Sequence, residues 1–160
     1  MSELSITPAT PDDIPLILDF IRELAGYEQA LDQVSATEED LHTDLFSPEA
    51  CVHALVCRLG EEPVGFAVYF FNYSTWLGKR GLFLEDIYIS PQFRRNGAGR
   101  ALLQYLAEVA TEHNCGRMEW NVLNWNEPAI RFYESLGATP QSEWTGYRLS
   151  GVALRNFGDK

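Results

Sequence analysis

The feature that most constrains this chain is a strand that runs through a basic, glycine-rich loop straight into a long amphipathic helix. Residues 81–89 form an apolar, β-rich run stopped by Pro91, and Arg94, Arg95, Asn96, Gly97, Ala98, Gly99 and Arg100 follow. Leu102, Leu103, Leu106, Val109 and Ala110 then recur on one face of a helix predicted over 99–113. Residues 117–122 read as another strand. A strand–helix–strand unit of this kind places its helix over one face of a sheet.

The preceding residues supply the rest of the sheet. Leu4 to Ile6 alternate as a short first strand ended by Pro8. Ile14, Ile17, Leu18, Ile21, Leu24 and Ala25 mark a helix over 12–28, with Pro15 tolerated in its first turn. Thr37–Glu38–Glu39–Asp40 resembles a capping box and opens a shorter helix. Residues 52–59 and 64–71, parted by Gly60–Glu61–Glu62–Pro63, read as a hairpin. Downstream, 126–136 reads as a helix capped by Asn126 and stopped by Gly137, and 143–149 and 151–156 read as two closing strands. The expected order is β-α-α-β-β-β-α-β-α-β-β. It is an α/β (α+β) class with a mixed sheet and covering helices, in one domain over 1–160.

Composition removes several function classes. A net charge of -11 disfavours nucleic acid and anionic membrane, which both call for a basic surface, and suits a cationic partner. Cys51, Cys57 and Cys115 form no C-x-x-C, and His42, His53 and His113 have no partners at ligand spacing, so no metal is expected. The first residues show no basic start and no apolar signal core, which points to the cytoplasm.

The loop itself points to an anion. The unbonded N–H groups and dipole of a helix start attract phosphate. Glycines at 97 and 99 allow close backbone approach, and Arg94, Arg95 and Arg100 add charged donors. The loop is neither a P-loop nor G-x-G-x-x-G, and a plain tight turn with solvated arginines is the bland alternative.

Arg94-x-x-Gly97-x-Gly99 resembles the pyrophosphate motif of the GNAT acetyltransferase superfamily. The segment from Asn126 through Ala129, Phe132–Tyr133 and Leu136–Gly137–Ala138 resembles its second recurrent signature. The resemblance implies a GNAT-like, mostly antiparallel sheet of about seven strands flanked by four helices, with acetyl-CoA as co-substrate. It implies that backbone groups of Ile87, Tyr88 and Ile89 hold the pantetheine arm and the acetyl carbonyl. Amides of Arg95, Asn96, Gly97, Ala98, Gly99 and Arg100 would hold the pyrophosphate, beside Arg94. Asn126 and Ala129 would contact the coenzyme, and Tyr133 would protonate the leaving thiolate. A phenol of pKa about 10 can protonate a thiolate whose conjugate acid lies near 8.5.

Further stretches resemble the spermidine/spermine (diamine) N-acetyltransferase branch. They are Arg22 to Glu28, Trp76-x-Gly78–Lys79, Leu84–Glu85–Asp86 and Trp125 to Pro128. In that branch Tyr27, Glu28 and Glu85 would bind the amine, and Glu119, Trp120 and Asn121 would line its channel. Trp76 and Tyr27 can add cation–π contacts. Glu85 and Asp86 interrupt an apolar strand, where carboxylates are costly unless used. Glu85 is a candidate base and equally a candidate anchor. The branch has a carboxylate before the Gly-aromatic-Arg of a late strand. Here Thr145 stands there, with Tyr147 as the aromatic. A thialysine-like amino acid or a short diamine therefore competes with a long polyamine. A homodimer is implied by the branch. Acetylation of peptides and a non-catalytic coenzyme-binding module are the alternative readings.

Overall fold

In this computed structural model, residues 3–159 are described. The chain divides into two compact units, one ending at Asn121 and one beginning at Val122.

The first unit is a five-stranded sheet with helices. Strand β1 (Leu4–Pro8) leads through a single 3-10 turn into helix α1 (Ile14–Tyr27), and α2 (Glu38–Phe46) follows. Strands β2 (His53–Leu59), β3 (Glu62–Ser74) and β4 (Lys79–Ile89) form a meander, then come helix α3 (Ala98–Glu112) and strand β5 (Met118–Trp120). Sheet order is β1-β2-β3-β4-β5. The first four strands pair antiparallel, and β5 joins β4 parallel.

The expected capping box is present. Asp40 N–H donates to Thr37 Oγ1 at 3.1 Å, and Thr37 N–H donates to Asp40 Oδ2 at 2.9 Å. Consecutive residues are buried in β2 (Ala54 to Cys57) and in β3 (Val64 to Tyr69), so both sheet faces are covered. On one face Ile17 and Phe20 of α1 pack with Ala54, Phe66, Val68 and Tyr88. Helix α3 packs against β1, β3 and β4, with Leu102, Leu103, Leu106 and Ala110 buried.

The second unit holds helices α4 (Glu127–Ser135) and α5 (Gly151–Gly158). Here the structure corrects the expectation of about seven strands and four helices: among the described residues there are five strands and five α-helices. Residues 143–149, expected as a strand, form no strand pairing among the described residues, and 151–156 belongs to α5. The alternation of Val152 and Leu154 is too short to separate the two periods. Ser150 is extended and opens the helix, and Ala153, Leu154 and Arg155 are strong helix formers.

Candidate active site

Strand β4 positions the site. Its pairing with β5 is confined to Leu82↔Met118, Phe83↔Glu119 and Leu84↔Trp120. From Glu85 to Ile89, β4 pairs with no strand but β3 among the described residues, so its outward row of backbone groups is left without a partner strand, with the Ile89 carbonyl taken by Arg94. An extended chain can add there as a further strand.

A β-bulge sits at the start of that open stretch. Val68 faces Asp86 but Tyr69 faces Leu84, so Glu85 is the extra residue on β4. Bulges re-aim side chains. Asp86 and Tyr88 lie two apart on the face covered by α1. Phe20 of α1 is 5.5 Å from Phe66 and 6.4 Å from Tyr88 between ring centres. Glu85 itself is exposed, and Asp86 is partly buried.

The electrostatics follow from this placement. Burial, then the charges of Glu85 and Glu28, pushes the Asp86 carboxyl up to about 6. Glu28, just past α1, lies at the surface, and crowding around its carboxyl raises it by desolvation. Two elements distant in sequence thus bring Glu28, Glu85 and Asp86 into one acidic cluster.

The phosphate loop follows β4. Gly97 caps α3 in the left-handed region at φ 80°, which favours glycine, and as the cap it has no side chain to bond the first amides of the helix. A Cβ added at Gly97 or Gly99 would meet nothing within 4 Å. The open amides of Ala98, Gly99 and Arg100 therefore suit a pyrophosphate. Arg94 is engaged differently from the free donor expected of it. Its Nε donates to the Ile89 carbonyl at 3.0 Å, and its guanidinium lies over Tyr27 and Tyr88.

Other expected residues are spread more widely. Glu119 and Trp120 pair with β4 at the last bonded positions before the two strands part. Asn121 is exposed at the end of this unit. Trp76 is 86% exposed at the tip of the β3–β4 hairpin. About 20 Å of strand separates it from Glu85, so the structure does not bring these two together.

The acetyltransferase (GNAT) family model matches residues 18–138, three quarters of the chain, from within α1 through α4. The chain belongs to the GNAT acetyltransferase family. The family uses acetyl-CoA as co-substrate, and the open β4 edge with its glycine-capped helix fits that molecule. A "Thialysine N-epsilon-acetyltransferase" of Caenorhabditis elegans is 37% identical, covering 100% of both chains. A "Spermidine/spermine N(1)-acetyltransferase-like protein 1" of Homo sapiens is 34% identical over 93% of this chain and 22% of its own. An integron cassette protein from the mobile metagenome of V. cholerae superposes with a TM-score of 0.81 at 28% identity, covering 100% of this chain and 99% of that one.

In this GNAT chain the second signature lies on α4 of the second unit. Asn126 Oδ1 accepts from Ala129 N–H at 3.4 Å, as a cap should. Tyr133 closes the helix: Ala138 N–H donates to its carbonyl and Gly137 N–H to that of Glu134, a Schellman end. The half-buried Tyr133 ring tilts against Phe132 at 5.8 Å.

Several features escaped sequence reasoning. The Asp86 perturbation needs the bulge, which no spacing announces. The Arg94–Tyr27 contact joins residues far apart in the chain. Asn72 is a polar residue inside the apolar run Tyr69–Phe70–Phe71–Asn72–Tyr73, the one sequence signal that marks its position.

Proposed function

We propose that this enzyme transfers acetyl from acetyl-CoA to the terminal primary amine of a small cationic substrate, a thialysine-like amino acid or a diamine. The observation that carries the reading is the Glu85–Ile89 edge of β4, which has no second partner strand among the described residues and runs from an acidic cluster at one end toward the glycine-capped start of α3 at the other.

Acetyl-CoA supplies the activated thioester. Backbone groups of Ile87, Tyr88 and Ile89 hold the pantetheine arm as an added strand, and amides from Arg95 to Arg100 hold the pyrophosphate. Asn126 and Ala129 are further coenzyme-binding candidates by their place in the family's second signature. An alkylammonium has a pKa near 10.4 and must lose a proton before its nitrogen can attack. Asp86, raised to about 6, is poised nearer neutrality than an ordinary carboxylate and accepts that proton, directly or through water. Glu85, exposed on the bulge, and Glu28 draw the cation into place, with the Tyr27 ring beside them. Tyr133 donates a proton to the leaving thiolate as the amine adds and the carbon–sulfur bond breaks.

The names of the relatives support the substrate class, and the net charge of -11 supports a cationic one. A cytoplasmic home fits three free cysteines. A homodimer fits Trp144, Tyr147 and Phe157 of the second unit, each at least 67% exposed. The test is coenzyme-thiol release against thialysine, putrescine, spermidine and N-terminal peptides. Release with the small amines and none with the peptides is expected. Release with the peptides alone contradicts the reading.

A further inference from the structure

Along the short stretch where β4 and β5 pair lies a mixed-charge cluster, of which the resemblance above places only Glu119 in the amine channel. Arg117 Nε lies 3.2 Å from Glu119 Oε1, and both side chains are well exposed, at 44% and 36%. Asn72 of β3 donates from Nδ2 to the same Glu119 oxygen at 3.5 Å. Asn72 Oδ1 is buried and has no donor among the described residues. An orphaned acceptor of this kind commonly marks an ion, water or ligand position. The arrangement depends on Gly81, opposite Asn72, where a Cβ would collide with Asn72 Oδ1 and stand 3.6 Å from Arg117 Cγ. A glycine inside a strand often marks such a close approach.

The cluster lies in register with the acidic one. Glu119 pairs with Phe83, two residues before Glu85 and three before Asp86. At about 3.3 Å per residue the offset along the strand is about 7–10 Å. The extended linker of a lysine-class amino acid, about 6 Å from its terminal nitrogen to its α-carbon, covers that offset once hydrogen bonds of about 3 Å at its ends are added. Arg117 offers a planar fork suited to a carboxylate, and Glu119 an acceptor suited to an ammonium. Side by side on one face, they form a receptor for a zwitterion rather than for a second plain amine.

Resting on the function proposed above, we infer that Arg117 and Glu119 are specificity-determining residues that receive the α-carboxylate and α-ammonium of an amino-acid substrate, with Asn72 and Gly81 holding Glu119 in place. A diamine carries only the ammonium. Beside its distal end Arg117 is a like charge and works against it.

The experiment compares thialysine with its decarboxylated counterpart, the matched diamine, on the parent, Arg117→Gln and Arg117→Lys. Arg117→Gln is expected to lower kcat/KM for thialysine by at least about tenfold, mainly through KM, the size of one lost charge-assisted hydrogen bond. The same variant raises kcat/KM for the diamine. Arg117→Lys restores part of the thialysine activity, because it keeps the charge and loses the fork. Glu119→Gln lowers both substrates, since both carry a distal ammonium. Equal changes for the two substrates with Arg117→Gln, or none, overturn the inference while leaving the acetyltransferase reading intact. A parent that binds acetyl-CoA but acetylates neither compound overturns both. Unfolding midpoints of all variants exclude a loss of structure as the cause.

Discussion

The Arg94 guanidinium lies 5.0 Å from the centre of the Tyr27 ring and 5.7 Å from that of Tyr88, and Nε donates to the Ile89 carbonyl. One side chain thus ties the last residue of α1 to the strand end and to the phosphate loop. Ser90 Oγ donates to Glu23 Oε2 at 3.4 Å and ties the same two elements one turn earlier. The amine side and the coenzyme side of the proposed site share one mechanical joint.

A double-mutant cycle measures that joint. Arg94→Gln and Tyr27→Leu should each destabilise the protein by about 0.5–1.5 kcal/mol, since the contact is surface-exposed. The double variant should fall short of their sum by about 0.5–1 kcal/mol in urea unfolding. Strict additivity shows the Tyr27 ring and the Arg94 guanidinium to be energetically independent.

Asp86→Asn gives a pH-dependent outcome. The carboxyl titrates at about 6 in the folded protein and at 3.8 as a free side chain, so the folded state binds its proton more tightly. Stability therefore falls as pH rises from about 4 to about 6, at a total cost of up to about 3 kcal/mol. Asp86→Asn removes that loss. It should raise the thermal midpoint at pH 7.5 and leave it unchanged below pH 4. Turnover of the parent should fall as pH drops through about 6, and Asp86→Asn should lose about 10²–10³-fold in kcat at pH 7.5. A variant no more stable at pH 7.5 than at pH 4, relative to the parent, contradicts the buried charge.

The sequence made the meander, the crossover helix and the phosphate loop legible, because each has a period or a punctuation mark. Pro91, Gly97 and the apolar stripe of α3 left little freedom. The C-terminal residues were misread because Val152 to Asn156 is too short to choose between helix and strand. At the site, Glu85 and Asp86 stood out as carboxylates in an apolar run. Which of them is buried depends on a one-residue bulge against β3, a relation between strands that no local pattern records. Arg94 reads as a phosphate ligand by composition; its partner Tyr27 comes from tertiary packing, and the Ile89 carbonyl lies five residues back across the turn.

The coenzyme assignment is tested at Gly99, where an added side chain meets no protein atom. Gly99→Glu should fold normally yet put a negative charge where the pyrophosphate is proposed to bind. Calorimetry should show acetyl-CoA binding weakened at least about tenfold, or 1.4 kcal/mol. Unchanged affinity in the folded variant removes the loop from the site.

Tyr133→Phe keeps the ring and deletes the proposed proton donor. With coenzyme affinity unchanged, kcat should fall by about 10²–10⁴-fold. A variant within about twofold of the parent, with chemistry rate-limiting, leaves the thiolate to be protonated by another group.

The central claim is acetyl transfer to a small cationic amine, and a competition measures it most directly. The parent enzyme is given acetyl-CoA with equal concentrations of thialysine, putrescine, spermidine and a peptide with a free N-terminus, and the products are resolved by mass spectrometry. The account predicts acetyl on the terminal nitrogen of thialysine or of a diamine while the peptide stays unmodified. Acetyl on the peptide alone, or no acetylated product while acetyl-CoA binds, contradicts it.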